Sequence, residues 1–139
     1  MKDTSYPIRK AYNALLTELG YTCFDFKATD NATKPYVILS SQTSNSDNTK
    51  NTFGNIATIN LDIVVSFIDG FGGRKQLDEI VDAILQAILP TPDALIIQAE
   101  GFNIYSTKKV IDFDFEPLAQ QTQTIYRRII TFEHLIEQL

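Results

Sequence analysis

Histidine and cysteine are each present once in this chain of 139 residues. A lone histidine, His134, excludes a histidine-based nucleophile triad and a two-histidine metal site within one chain. Its place near the C-terminus predicts a surface or edge position. A lone cysteine, Cys23, cannot close an internal disulfide, which fits a reducing cytoplasm. Beside Phe24 and Phe26 it reads as a small core residue rather than a nucleophile. No run of about 18 apolar residues occurs, so no membrane span is expected. Met1-Lys2-Asp3-Thr4-Ser5 lacks the apolar core of a secretion signal. Positive charge is also short, with 12 Lys and Arg against 17 Asp and Glu and a net charge of -5. Phosphate binding usually needs a basic surface, so this balance argues against a nucleic-acid binder. It leaves open a protein past which DNA slides.

What is present suffices for a globular core. The apolar fraction is 44%, ordinary for a folded protein, and the length suits a single domain over 1–139. Ile56–Leu89 is the clearest unit. Ala57, Ile59, Leu61, Ile63, Val65 and Phe67 alternate with polar residues, which predicts a strand with one buried face. Asp69-Gly70-Phe71-Gly72-Gly73 breaks it. From Arg74 to Leu89 the spacing turns helical, with Leu77, Ile80, Val81, Ile84 and Ile88 on one stripe.

A first helix is expected to open at Ser5-Tyr6-Pro7, with Ser5 as the cap and Pro7 tolerated in the first turn. Its stripe is Ile8, Ala11, Tyr12, Leu15, Leu16 and Leu19, and Gly20 stops it. Tyr21 to Lys27 reads as a short strand and Thr29-Asp30-Asn31 as a turn. Tyr36 to Gln42 reads as a second strand. Ser44 to Asn55 is polar and asparagine-rich, and Phe53 is its one large apolar residue. It is either a hairpin tip or a segment that orders when a neighbour docks. Pro90-Thr91-Pro92-Asp93 ends the second helix, and Ala94 to Gln98 is a short strand or a turn. Phe102 to Glu116 is a strand with a bend at its centre, ended by Pro117. Gln120-Gln121-Thr122 connects it to a last strand, Thr124 to Ile136. That strand is apolar on both faces: Ile125, Ile129 and Leu135 on one, Tyr126, Ile130, Phe132 and Ile136 on the other. An interior strand has this pattern. The order is α-β-β-β-α-β-β. It predicts an α+β fold, an antiparallel sheet of four to five strands with two amphipathic helices on one face. The other face would be more polar or would meet another subunit.

Three groups invite a chemical reading. Asp112, Asp114 and Glu116 alternate with Phe113 and Phe115, which places the carboxylates on one strand face at about 6.5–7 Å intervals. That is too spread for one tight metal cage. Paired-carboxylate glycoside hydrolysis tolerates it but has no other support here. A solvated acidic face above a phenylalanine-rich core is the plainer reading. Glycines ahead of Arg74 and Lys75 suggest a phosphate loop, but the Gly-x-x-x-x-Gly-Lys-Ser/Thr and Gly-x-Gly-x-x-Gly spacings are both absent. A strand-to-helix turn explains them better. Lys108-Lys109 and Arg127-Arg128 lie in strands, so each pair sends one charge to each face. Cross-strand pairing with acids is the simpler role, a subunit interface the next.

The chain resembles the small tail-completion, or tail-terminator, proteins of long-tailed bacteriophages. Four parts carry the resemblance in order. The helix Ile8–Leu19 precedes a short strand. Lys34-Pro35-Tyr36-Val37-Ile38-Leu39 is similar to the family's Pro-Tyr-Val-Val strand start. Ile59–Phe67 leads through Gly72-Gly73-Arg74-Lys75-Gln76 into Ile80-Val81-Asp82-Ala83-Ile84, similar to its strand, Gly-Arg-Lys turn and helix. Tyr126-Arg127-Arg128-Ile129-Ile130-Thr131-Phe132-Glu133-His134-Leu135-Ile136 is similar to its closing strand. The asparagine-rich loop and the Pro90–Gly101 region match no motif of the family.

The resemblance implies a virion structural protein without enzymatic activity, cofactor or metal. It implies a homo-oligomeric, six-membered ring on the head-proximal end of the tail tube, assembled in the host bacterial cytoplasm. Its partners would be the tail tube protein and the head-tail connector, with DNA passing through the lumen. Such a ring closes through head-to-tail contacts. Candidate contact residues are Ser44, Asp47, Lys50 and Phe53 in the polar loop, and Phe71 and Arg74 at the turn. Lys108, Lys109, Asp112, Asp114, Glu116, Arg127 and Arg128 are the candidates from the last strands. Another neck or connector ring protein is the neighbouring alternative. A small ligand-binding or enzymatic α+β domain is the alternative of a different class.

Overall fold

A computed structural model of the chain describes residues 1–29, 34–68, 74–120 and 123–139. The elements run α1 (Ser5–Glu18), β1 (Cys23–Asp25), β2 (Tyr36–Ser46), β3 (Gly54–Ile68), α2 (Arg74–Ile88), β4 (Phe102–Asp114), β5 (Leu118–Ala119) and β6 (Gln123–Gln138). The fold is α+β, with six strands in one mixed, mostly antiparallel sheet of order β1-β2-β3-β6-β4, and β5 also on β6. Two features exceed the expected antiparallel sheet of four to five strands. Strand β1 pairs with β2 in parallel, Cys23 with Val37 and Asp25 with Leu39. Strand β5 follows Pro117 and continues the β4 side of β6, pairing Leu118 with Ile125.

The odd residues of β3 face the helices as the alternation predicts. Ala57, Ile59, Leu61, Ile63 and Val65 are buried there with Ile8, Tyr12 and Leu16 of α1 and the expected stripe of α2. Burying one such side chain fully contributes about 1.5–3 kcal/mol, so this one helix-covered face holds the fold together. Strand β6 lies between β3 and β4, in register with β3 from Gly54↔Glu137 to Ile68↔Gln123. Its two apolar faces follow from that interior place.

Helix boundaries differ in detail from the sequence reading. Thr4, not Ser5, is the N-cap, and it makes no side-chain capping bond. Asp3 Oδ1 accepts the Ser5 N–H at 3.0 Å instead. Gly20 follows the helix at φ 91°, the left-handed conformation that costs glycine least. Leu19 sits at the C-cap, 38% exposed, and so falls off the buried stripe.

The polar stretch Ser44–Asn55 is a hairpin tip with strand at both its ends. Strands β2 and β3 extend into it as far as Ser46↔Asn55, leaving residues 47–53 as the hairpin loop. Asn48 Oδ1 accepts the Gly54 N–H at 3.0 Å, and the Phe53 carbonyl accepts the Gln138 N–H at 2.9 Å. Thr49 Oγ1 accepts the Thr52 N–H at 3.1 Å. A Cβ on Gly54 would collide with the Asp47 carbonyl oxygen, so this closure needs glycine. Residues 94–99 form no strand; Ile97 and Ala99 are buried, and the Gln98 amide both donates to the Ile104 carbonyl (3.0 Å) and accepts from its N–H (3.2 Å). A side chain there takes the place a further strand would have on the free edge of β4.

Candidate functional site

Strand β4 carries the expected bend as two register shifts on β6, at Tyr105 and Val110. Each shift moves the alternation by one residue, so the pair restores it. Ile104, opposite Ile136, therefore shares the helix side of the sheet with Asp112, opposite Ile130, and Asp114, opposite Arg128. Ile111 and Phe113 take the other side, opposite Thr131 and Ile129.

The helix side of this distal end is a charge network. Arg128 donates to Asp112 through Nε and Nη2, both at 2.6 Å, and to Asp78 of α2 at 3.2 Å. Arg74, the first residue of α2, donates to Asp114 at 2.6 Å and to Asp78 at 3.0 Å. Lys109 Nζ reaches Asp112 at 3.2 Å. Hydrogen bonding from Arg128, helped by Lys109, holds the Asp112 carboxyl below its ordinary value. The Arg128 guanidinium is in turn raised, chiefly by its bonds to Asp112, and that of Arg74 chiefly by its bond to Asp114. Asp112, Asp114 and Glu116 are all exposed, as a solvated acidic row expects. The correction is that Asp112 and Asp114 are paired with Arg128 and Arg74, while Glu116 lies in the link beyond β4, outside the network.

The expected phenylalanine-rich core is corrected as well. On the side away from the helices, Ile111 is 54% exposed, Phe113 54% and Leu118 58%. Val110 and Tyr105 at the register shifts are also exposed. Phe113 packs edge-on against Phe115 at 5.0 Å, and Phe115 lies under the Arg127 guanidinium at 4.7 Å. Arg127 pairs with the buried Asp62 of β3, and that bond raises the guanidinium pKa. Arg127 and Arg128 therefore serve opposite faces, each against an acid, as the sequence reading expects. Lys108 faces Glu133 on the apolar side, and Lys109 faces Phe132 on the helix side.

The remaining candidates lie apart from this end. Ser44 is in β2, its hydroxyl 3.3 Å from Asn55 Oδ1. Asp47 and Lys50 belong to the exposed hairpin loop, and Phe53 beside them is 45% exposed. Phe71 and the turn 69–73 lie outside the described residues, as do residues 30–33 of the expected turn.

Two polar groups that sequence reasoning misplaced or missed are buried. His134 is fully buried, not a surface or edge residue. It occupies an even position of interior strand β6, beneath α1, with Tyr12 Oη 2.7 Å from its Nε2. Burial pushes its pKa down to about 4, so the ring is neutral in the folded protein near neutral pH. Arg9 is buried among α1, β1 and β2. It donates to the Leu39 and Ser40 carbonyls at 2.6 and 2.9 Å, to Gln42 Oε1 at 3.1 Å and to Asp25 at 3.3 Å. The Ser40 carbonyl lies at the irregularity between Leu39 and Gln42, so there Arg9 satisfies a backbone group where the ladder breaks, while the Leu39 carbonyl also accepts the Phe26 N–H at 2.9 Å. The signal was available, since Arg9, Tyr12 and Leu16 share helical spacing. Cys23 is packed against the core, its thiol pushed up to about 11 by burial and then by Asp25.

An open groove of about 310 Å³ lies between α1 and the segment before β4, lined by Tyr6, Pro7, Ala11 and Ala14 with Lys10, Gln98 and Glu100. Among the described residues, no three His, Cys, Asp or Glu side chains group as a metal cage. Neither a protein-family model nor a curated protein matches the chain.

Proposed function

We propose that this chain is a ring-forming structural subunit of a phage tail, a terminator on the head-proximal end of the tail tube. In this reading the ring ends tube polymerisation, offers a docking surface to the head connector, and lets DNA pass. The observation that carries the reading is the inverted distal end of the sheet. Paired, partly exposed charges occupy the helix side, and apolar side chains lie in water on the other. Exposed apolar patches of this kind mark interaction surfaces in soluble proteins. The acids that would serve an enzyme are instead tied to arginines, with Asp112 lowered rather than raised, which favours contact over chemistry. The resemblance in helix, strand and turn order supplies the phage setting. A net charge of -5 suits a lumen that does not hold DNA tightly.

The test is negative-stain electron microscopy of the purified protein, alone and mixed with tail tubes. Rings of six, or caps on tube ends, are the expected result. Tubes that grow to the same lengths with and without the protein would refute the reading. Binding to the isolated connector but not to tubes would move the protein to another place in the neck.

A further inference from the structure

Two buried polar atoms without a hydrogen-bond partner among the described residues lie on neighbouring strands. They are His134 Nδ1 on β6 and Thr107 Oγ1 on β4. His134 is fully buried and Thr107 is 5% exposed. Leaving such groups unpaired is unfavourable, because each has given up water for nothing in return. The two residues are register partners, so their side chains leave the sheet on the same face. The Cβ atoms of such a pair lie about 4.5–5.5 Å apart, within reach of one bond once the Thr107 side chain turns about Cα–Cβ.

The other ring nitrogen decides where the protons lie. Tyr12 Oη is 2.7 Å from Nε2. Tyr12 is fully buried, and this is the one hydrogen bond of its hydroxyl among the described residues. If Nε2 carried the ring proton, the Tyr12 O–H would have no acceptor. With Tyr12 donating to Nε2, the proton of the neutral ring sits on Nδ1 and needs an acceptor. Thr107 can supply it. Unlike Tyr12, Thr107 also borders an open groove of about 250 Å³, with Asp93, Ser106 and Lys108. Of the two hydroxyls, it is the one whose own proton has a way to water.

We infer that Tyr12, His134 and Thr107 form one directed hydrogen-bond chain, Tyr12 to Nε2 and Nδ1 to Thr107, that pins β4 in register on β6. Thr107 lies between the two register shifts at Tyr105 and Val110. A slip of two residues keeps the face but sets Tyr105 or Lys109 against the imidazole, a bulky ring or a cation in place of a small hydroxyl. The register so held sends Asp112 and Asp114 to the helix side and Ile111 and Phe113 to the other. Thr107 is thus a positioning residue for the distal end, whether or not the chain forms a ring.

Nitrogen NMR of the full chain tests the inference, and the single histidine makes the ring signals unambiguous. Near neutral pH the parent should show Nδ1 protonated and Nε2 bare. Thr107→Val keeps the shape and removes the hydroxyl. Its Nδ1 proton should exchange with water roughly tenfold faster, the worth of one hydrogen bond. The β6-bonded amides of residues 106–109 should quicken by a similar factor, with those of β3 unchanged. Thr107→Ser keeps the hydroxyl and should behave as the parent. A ring proton on Nε2 in the parent overturns the chain, whether or not any variant folds. Equal Nδ1 exchange in the parent and Thr107→Val overturns the role of Thr107, as does a serine variant that behaves like valine. Faster Nδ1 exchange with unchanged β4 amides overturns the pin.

Discussion

The two ends of strand β6 obey opposite rules. From Ile130 to Ile136 the helix-facing positions are Ile130, Phe132, His134 and Ile136, all buried. At Arg128 the helix side turns to charge, and the apolar residues of β4 and β5 come out on the other side. One sequence of alternating residues thus builds a core at one end and an outward apolar surface at the other. The first end is explained by folding alone. The second is explained by something that folding of one copy does not supply. The largest expected effect belongs to the folding end. Phe132→Ala removes a fully buried ring that packs on Tyr12 at 6.0 Å. It should lower unfolding free energy by about 3–5 kcal/mol in a denaturant titration. A loss below about 1 kcal/mol would mean that this end is not the core.

The same end should set the response to acid. His134 has a folded pKa of about 4 against an ordinary value of 6.5, lowered by burial. The unfolded chain therefore binds more protons between these values. Stability should be level above pH 6.5, fall as pH drops toward 4, and lose about 3 kcal/mol across that window from this group alone. His134→Leu combined with Tyr12→Phe should flatten the slope between pH 4 and 6.5, since the change removes both the ring and the hydroxyl that faces it. An unchanged slope would place the titration elsewhere.

The charged side of the distal end should matter less. Arg128→Ala strips Asp112 of two bonds of 2.6 Å and leaves it beside Asp78 and Asp114. The Arg128 side chain is 17% exposed, so the loss should be about 1–2 kcal/mol near neutral pH, between surface and buried values. The Asp112 carboxyl is lowered in the folded state. Its stabilising part is present above the ordinary aspartate value and is lost as pH falls through the lower folded value. Asp112→Asn should remove that acid-range loss. A melt that depends on salt no more in the parent than in Arg128→Ala would count against the network.

The sequence made this contrast legible only in part. The period in β3 and α2 is unbroken, so every expected core position there was found. The two apolar faces of β6 correctly implied an interior strand. Parity along β6 also put His134 on the face of Ile130, Phe132 and Ile136, yet general exposure of histidine suggested the surface. Local pattern was the better guide because Tyr12 supplies the partner that lets the ring be buried. In β4 the two register shifts leave no mark that composition reveals, and apolar residues were assigned to the core by type. Arg9 was passed over for the same reason, though helical spacing joins it to Tyr12 and Leu16. The Ser40 carbonyl that it satisfies appears only once β2 breaks step between Leu39 and Gln42.

The smallest effect on stability should come from the outward apolar side, and that is what makes it diagnostic. Phe113 is 54% exposed and touches Phe115 edge-on. Phe113→Ser should therefore change the unfolding free energy of the monomer by only about 0.5 kcal/mol, the usual range for a surface site. Any role for the ring must then show in association. If the surface is covered by another copy, Phe113→Ser should weaken self-association roughly tenfold or more, as truncating an aromatic anchor does. Equal and small effects on melting and on association would mean that Phe113 is an isolated exposed residue. A large loss of stability with no loss of association would mean that the side chain folds the monomer after all. Only the split, near-silent in the melt and strong in sedimentation, separates an assembly surface from a misplaced piece of core.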